Sequence, residues 1–469
     1  MPCRELHYTG PTSWPAIKEW LAGRADPGKN MDAVVTDILE AVRSRGDAAL
    51  VEYGQRFDCQ TLTEEALRVT PAEFETAMAH IPQADLDILA EAAANIRAFH
   101  EGQRENSWWT TREDGTILGQ MVRPVDRVGL YVPGGQAGQT PLISSLLMNA
   151  IPAQVAGVPG ICVASPPRPD GSLNPYLLAT AKLLGLDEVI RAGSAWAIGA
   201  LAFGTATVAP VDVIAGPGNI FVTTAKRLLM GRVGIDMIAG PSEIAIIADN
   251  SANPAWLAAD MLSQAEHDPL ASCILATTDK ALAAAVRTEL SRQLELLPRA
   301  DIARASLADW GAMLLTDDIS AAVDCINRLA PEHLELAVAD PWSLLGTIRH
   351  AGAIFMGHTT PEPVGDYFAG PNHVLPTLST ARFFFGVVGA DLPQEIQRYR
   401  HQSCLRSPEC GQDRTAGTAG RPGGPRPFGR SPTPITRRGK KRIFGWSNAN
   451  PRGTPPAAMP SCQPPRRGL

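Results

Sequence analysis

Residues 242–269 read SEIAIIADNSANPAWLAADMLSQAEHDP, and the fold turns on how this stretch is understood. Its first eight residues form a short apolar run of strand length, rich in isoleucine and closed by Asp249. A helix follows from Asn253-Pro254, with apolar residues recurring at three-to-four spacing. A strand running into such a helix is the repeating unit of a parallel α/β layer.

The unit recurs along the chain. GICVASPP (160–167) reads as a strand stopped by proline, and NPYLLATAKLLGL (174–186) as a helix. VDVIAGPGN (211–219) is a strand entering a glycine turn, FVTTAKRLLM (221–230) a helix, and SCILATTD (272–279) begins another unit. Upstream, residues 30–50 and 84–106 carry helical periodicity, followed by the short β-rich run RPVDRVGLYVPGG (123–135). The expected class is α/β, with two Rossmann-like units behind an N-terminal helical region. The boundaries read as 1–124 for the helical region, 125–240 for the first α/β unit, 241–385 for the second, and 386–469 for a tail rich in Arg, Pro and Gly.

Charge separates that tail from the rest. The chain has 469 residues and a formal charge of −6; residues 390–469 carry +11, which leaves −17 on the preceding 389. The first residues, MPCRELHYTGPTSW, contain no apolar run of the signal-peptide kind, and no stretch approaches the ~18 apolar residues of a membrane span. The eight cysteines are scattered without CxxC pairs, which points to a reducing cytoplasm and away from a cysteine zinc site.

Four motifs carry chemistry. In DMLSQAEHDP, Gln264 and His267 lie three apart and share a face near the end of a helix, where both can reach a ligand. The plainer account is a capped helix end with a surface histidine. In RLAPEHLELAV, Pro331 marks a helix start that places Glu332 and His333 in the first turn, an acid and an imidazole able to divide proton transfers. A solvated pair is the plainer account there. PVGDYFAGPNHVLPT (363–377) sets Asp366 and His373 in a loop punctuated by Gly and Pro, either a binding segment or a polar turn. YVPGGQAG (131–138), AGPGN (215–219) and IAGPSE (238–243) place glycines where strands end, the edge at which open α/β sheets bind ligands. None is a G-x-G-x-x-G fingerprint.

Taken in order, RVGLYVPGG, AGPGN, AGPSE, SQAEH, APEH and GDY…GPNHVLPT closely resemble histidinol dehydrogenase over about residues 10–385. The resemblance implies oxidation of L-histidinol through L-histidinal to L-histidine with two NAD+, one water and one zinc per site. It implies Gln264, His267 and Asp366 as zinc ligands, Glu332 and His333 as general bases, and Ser242 and His373 as substrate contacts. His333 would take the hydroxyl proton, and Glu332 would activate the water that hydrates the aldehyde. Tyr131 and Asn219 match NAD contacts, and Trp196 stands where relatives commonly carry a smaller polar contact. A cytoplasmic homodimer with shared active sites is implied, with no membrane or nucleic-acid partner.

The C-terminal region departs from that pattern. Relatives end near a Glu-Gly-Leu-acid-Ala-His motif whose histidine is the fourth zinc ligand and whose first glutamate touches substrate; the written sequence has no such motif. Read one base later, DLPQEIQRYR (391–400) can decode as TFLKKSSVIG, and GRPGGP (420–425) as EGLEAH if Arg421 uses an AGR codon. The segment therefore reads as shifted in frame from about residue 385, leaving a disordered basic tail. The competing readings are a related zinc and NAD dehydrogenase of another small alcohol, or an inactive scaffold whose basic tail binds nucleic acid. Sequencing the codons for Phe383 to Gly389 is expected to reveal one extra base relative to the frame that restores both segments; a frame that runs through cleanly would overturn this.

Overall fold

The computed structural model describes residues 3–24, 31–134 and 142–384. The glycine-rich stretch after Gly134, the inferred change of frame and the tail 386–469 lie outside the described residues.

Two parallel sheets organise the chain, as the alternating pattern predicts. The first runs β6-β5-β4-β7-β8, from β4 (Arg127–Tyr131), β5 (Gly160–Ser165), β6 (Val189–Arg191), β7 (Val213–Ala215) and β8 (Gly234–Ile235). Strands are added outward from β4 to one side, and the order then reverses to the other, so β4 and β7 flank the switch point. The second sheet runs β1-β11-β10-β9-β12-β13. Its strands are β9 (Glu243–Ala248), β10 (Ser272–Thr277), β11 (Gly311–Thr316), β12 (His333–Ala337) and β13 (Ala353–Met356), with β1 (Arg4–Tyr8) on its outer edge. All pairings in both sheets are parallel. Every residue of β9, β10, β11 and β12 is buried, as expected of strands covered by helices on both faces.

The N-terminal segment is not helical throughout, because β1 crosses to pair with β11. A small antiparallel hairpin, β2 (Trp108–Thr111) with β3 (Ile117–Gln120), also falls within it. Its helices cover the first sheet: Val35, Ile38, Leu39 and Val42 join one core with Ile198, Ile214 and Val222. Phe74 and Ala77 join the core on Leu146, Leu177 and Val128. Among the described residues no helix is long and apolar enough to cross a membrane.

Two local expectations are corrected. Glu332 and His333 do not open a helix. Ala330, in the left-handed region at φ 51°, ends the helix Ile319–Leu329, and β12 begins at His333. The decisive pattern is period two: Leu334, Leu336 and Val338 fall in one core, while Ala337 falls in the core of the opposite face. Asp366 is also not in an irregular loop. A helical turn, Glu362–Val364, runs into a π-helical turn, Gly365–Ala369. Gly365 permits this packing, since a Cβ there would lie 2.5 Å from the Phe355 ring.

At the first switch point, Gly216 has φ +120°, and a Cβ on it would lie 2.2 Å from the Tyr131 carbonyl oxygen. Both its backbone groups are tied to a buried ion pair. Its N–H donates to Asp236 Oδ2 at 2.9 Å, its carbonyl accepts from Lys226 Nζ at 2.9 Å, and Lys226 meets Asp236 at 2.5 Å. Gly216→Ala is expected to destabilise the protein by about 3 kcal/mol or more, from strain and backbone overlap together. Urea unfolding reads this directly, and a loss under about 0.5 kcal/mol would mean the turn re-forms without the glycine.

Candidate active site

The site gathers at the amino ends of the adjacent strands β9 and β12, where the register pairs His333 with Ile244. The Glu243 N–H donates to Glu332 Oε2 at 2.9 Å, and the Glu243 carbonyl lies 3.1 Å from His333 Nδ1. A carbonyl can only accept, so Nδ1 carries a proton. Gln264 Oε1 lies 2.9 Å from the same nitrogen. Asn253 caps the start of the helix Pro254–Ala265, and Gln264 is buried in its last turn. His267 sits past that helix end with its ring exposed, Nδ1 bonded to the Ser263 carbonyl at 2.7 Å. Gln264 thus points inward while His267 stands at the rim.

The other imidazole nitrogen, Nε2, faces Asp366 Oδ1 at 3.4 Å and Glu362 Oε1 at 3.9 Å. Nε2 and Glu362 Oε1 are both buried without a hydrogen-bond partner. His333, Glu362 and Asp366 bring one ligand atom each within 4.8 Å of one another. His373 closes the other side, its Nδ1 2.8 Å from the Asp366 carbonyl and its Nε2 3.4 Å from Ser145 Oγ. Ser242 adjoins Glu243 at the head of β9, its carbonyl accepting from Ser272 N–H at 3.1 Å.

Burial dominates the electrostatics. It pushes Glu332 up to about 8 against the pull of His333. It pushes Glu362 up to about 9, reinforced by Asp366. Burial also opposes the charge on Asp366, yet contact with His333 holds that carboxyl well below the usual range. For His333, burial pulls downward, but Glu332, Asp366 and Glu362 together push it up to about 10. His373 is lowered, chiefly by burial, with His333 and His267 adding to it. Three carboxyl groups around one imidazole make a centre short of positive charge, suited to a metal cation or an ammonium group.

The cofactor candidates lie on the first sheet. Tyr131 ends β4 and its hydroxyl accepts from the Ser194 N–H at 3.0 Å. Asn219, exposed, caps the helix Ile220–Leu229 through Phe221 N and Val222 N. These residues and Gly216 line the carboxyl edge at the switch point, the ligand-binding edge of an open α/β sheet. Trp196 is 5% exposed and stacks on Tyr53 and on the exposed Phe57 ring. The structure therefore brings Glu332, His333, Gln264, Asp366, His373 and Ser242 to one centre, His267 to its rim, and Trp196 to the first turn of the helix Ser194–Phe203.

Sequence reasoning missed Glu362, Ser145 and Asp58. Glu362 and Asp366 are four apart, a spacing informative only if 362–369 is read as helical. Asp58 lies against Gly193, where a Cβ would meet its Oδ2 at 3.1 Å, and burial pushes its carboxyl up to about 7. No local pattern around it signals that contact.

The sequence model of the histidinol dehydrogenase family matches residues 23–403. Histidinol dehydrogenases of Nitratidesulfovibrio vulgaris and Oleidesulfovibrio alaskensis are each 65% identical over 383 residues, spanning 82% of this chain and 88% of theirs. The crystal structure of histidinol dehydrogenase from Elizabethkingia anophelis superposes with a TM-score of 0.79 at 36% identity, covering 84% of this chain and 89% of that one. Sequence motifs, architecture and relatives agree, and the chain belongs to the histidinol dehydrogenase family.

Proposed function

We propose that this oxidoreductase converts L-histidinol to L-histidine with zinc and NAD+, and that Glu332 and His333 are its bases. The observation that carries this is the buried centre in which Gln264 Oε1 and Asp366 Oδ1 flank the His333 ring, 2.9 Å from Nδ1 and 3.4 Å from Nε2, beside Glu332 and Glu362. A buried centre this rich in carboxyl groups suits a cation, whose charge would offset their burial. The names of the relatives weigh against another alcohol as substrate. Bound zinc would fix the imidazole and amine of histidinol, and bound NAD+ would accept the electrons.

The chain's own groups do the proton work. His333, held through Nδ1–H by the Glu243 carbonyl, presents Nε2 to take the proton of the substrate hydroxyl. Glu332, oriented by the Glu243 N–H, accepts a proton from the water that hydrates the aldehyde. Ser242 and His373 border the substrate space, while Tyr131 and Asn219 would hold NAD+ at the switch point beside the Gly216 turn. We assign the metal to Gln264, His267 and Asp366. The cluster of His333, Glu362 and Asp366 supports a second arrangement, but it would take His333 out of service as a base. With no histidine of the C-terminal motif in the written sequence, this chain would offer the metal Gln264, His267 and Asp366, and activity is expected to rise when the frame is restored. A cytoplasmic homodimer completes the reading.

Zinc analysis separates the two metal arrangements. His267→Ala is expected to lower zinc content sharply and Glu362→Gln to leave it largely intact; the opposite result favours the second cluster. His333→Asn is expected to reduce histidinol-dependent NADH formation by about 10²–10⁴-fold. Both bases act only when deprotonated, and both are raised above their ordinary values. The rate of the zinc-loaded enzyme is therefore expected to climb with pH above the ordinary carboxylate range and below about 8, the value for Glu332 without a cation beside it. A cation nearby lowers both groups, so zinc removal is expected to move the rising limb to higher pH. A flat profile between pH 6 and 9, measured as kcat/KM, would refute Glu332 as a titrating base.

A further inference from the structure

Arg24 follows the helix Trp14–Ala22 and is 5% exposed, unusual for an arginine so near the chain's start. Its guanidinium meets four acceptors. Nη1 lies 2.6 Å from Glu243 Oε1, Nε 2.9 Å from the Leu270 carbonyl, and Nη2 3.2 Å and 3.3 Å from the carbonyls of Ser242 and Pro241. Three of those acceptors belong to the consecutive residues 241–243. The planar fork of arginine matches such a cluster, and the point charge of lysine does not. Glu243 is buried as well.

Glu243 is the residue whose main chain touches both proposed bases, through its N–H to Glu332 and its carbonyl to His333. Its side chain leads away to Arg24. We infer that Arg24 is a positioning residue for catalysis, fixing segment 241–243 so that the Glu243 peptide groups aim Glu332 and His333. Arg24 touches neither base and acts through segment 241–243. This rests on the reading of Glu332 and His333 as bases.

A merely structural role is the competing explanation, and physics separates the two. A buried ion pair kept for stability alone can be replaced by apolar residues of similar volume without loss. A pair kept for aim cannot, because a displacement of about 1 Å at a catalytic group costs on the order of 10²-fold in rate. In the full-length chain, the double variant Arg24→Met with Glu243→Leu is therefore expected to remain folded, with a lowered melting temperature from the carbonyls of Leu270, Pro241 and Ser242 left without Arg24, and to keep its KM for histidinol within about 3-fold, while kcat falls about 100-fold. Arg24→Lys, which keeps the charge but not the fork, is expected to lose about 10-fold in kcat. Arg24→Ala is expected to recover rate when methylguanidinium is supplied, which a folding defect would not. A folded double variant with unchanged kcat, or one whose loss lies wholly in KM, overturns the inference. His333→Asn is the control, since its retaining activity would instead overturn the assignment of the bases. Imidazole nitrogen NMR gives a readout independent of turnover: an unchanged hydrogen-bonded Nδ1–H of His333 in the double variant also overturns the role of Arg24.

Discussion

Burying several carboxyl groups around one imidazole is the constraint on which the rest of the structure depends. Each ion taken from water costs several kcal/mol even after relaxation, so the centre is tolerable only if fixed donors and cations offset it. Glu332 has the Glu243 N–H, and Glu335 accepts from the Glu362 N–H at 3.0 Å, tying the next carboxyl along β12 to the same turn. Asp366 has His333. Glu362 is left with an unpartnered oxygen at 1% exposure. The second sheet supplies the rigid frame for this arrangement: β9 and β12 are interior strands, paired on both sides and covered on both faces.

The two halves are joined by a short piece of chain with a fixed point at each end. Asp236 is locked to Lys226 and holds Gly216 beside the first switch point. Glu243 is locked to Arg24 and holds Glu332 and His333. Further bonds brace the joint: Gly240 N–H donates to Thr377 Oγ1, and Asn372 Nδ2 donates to the Met148 carbonyl at 2.6 Å, within the helix Ile143–Ala156. Such a rigid bridge suits chemistry in which two bound molecules must meet at a set distance.

Much of this was legible in the sequence, for reasons that can be named. Fully buried parallel strands read as apolar runs, so 243–248, 272–277 and 160–165 announce themselves. Gln264 and Asp366 stand out because polar residues at the edges of apolar elements are conspicuous. The strand at 333–337 was misread because Pro331 is an equally good helix opener, and only pairing with β9 and β13 decides against it. The turn at 365–369 was misread because glycine and proline signal a loop, whereas Gly365 is there to clear Phe355. Arg24 left no local signal at all, since its partner is 219 residues away.

The two sites sit at opposite ends of their sheets, and helix polarity gives this a consequence. At the carboxyl edge of the first sheet, the helices Ser194–Phe203 and Ile220–Leu229 present their N-termini, each worth roughly half a positive charge. At the amino edge of the second, the helices Pro254–Ala265 and Ile319–Leu329 end, presenting roughly half a negative charge each. One edge is an anion pole, fit for the phosphates of a dinucleotide. The other is a cation pole, fit for a metal and an amine. By using the same βα unit from both ends, the chain builds two edges whose backbone fields have opposite signs before any side chain is counted.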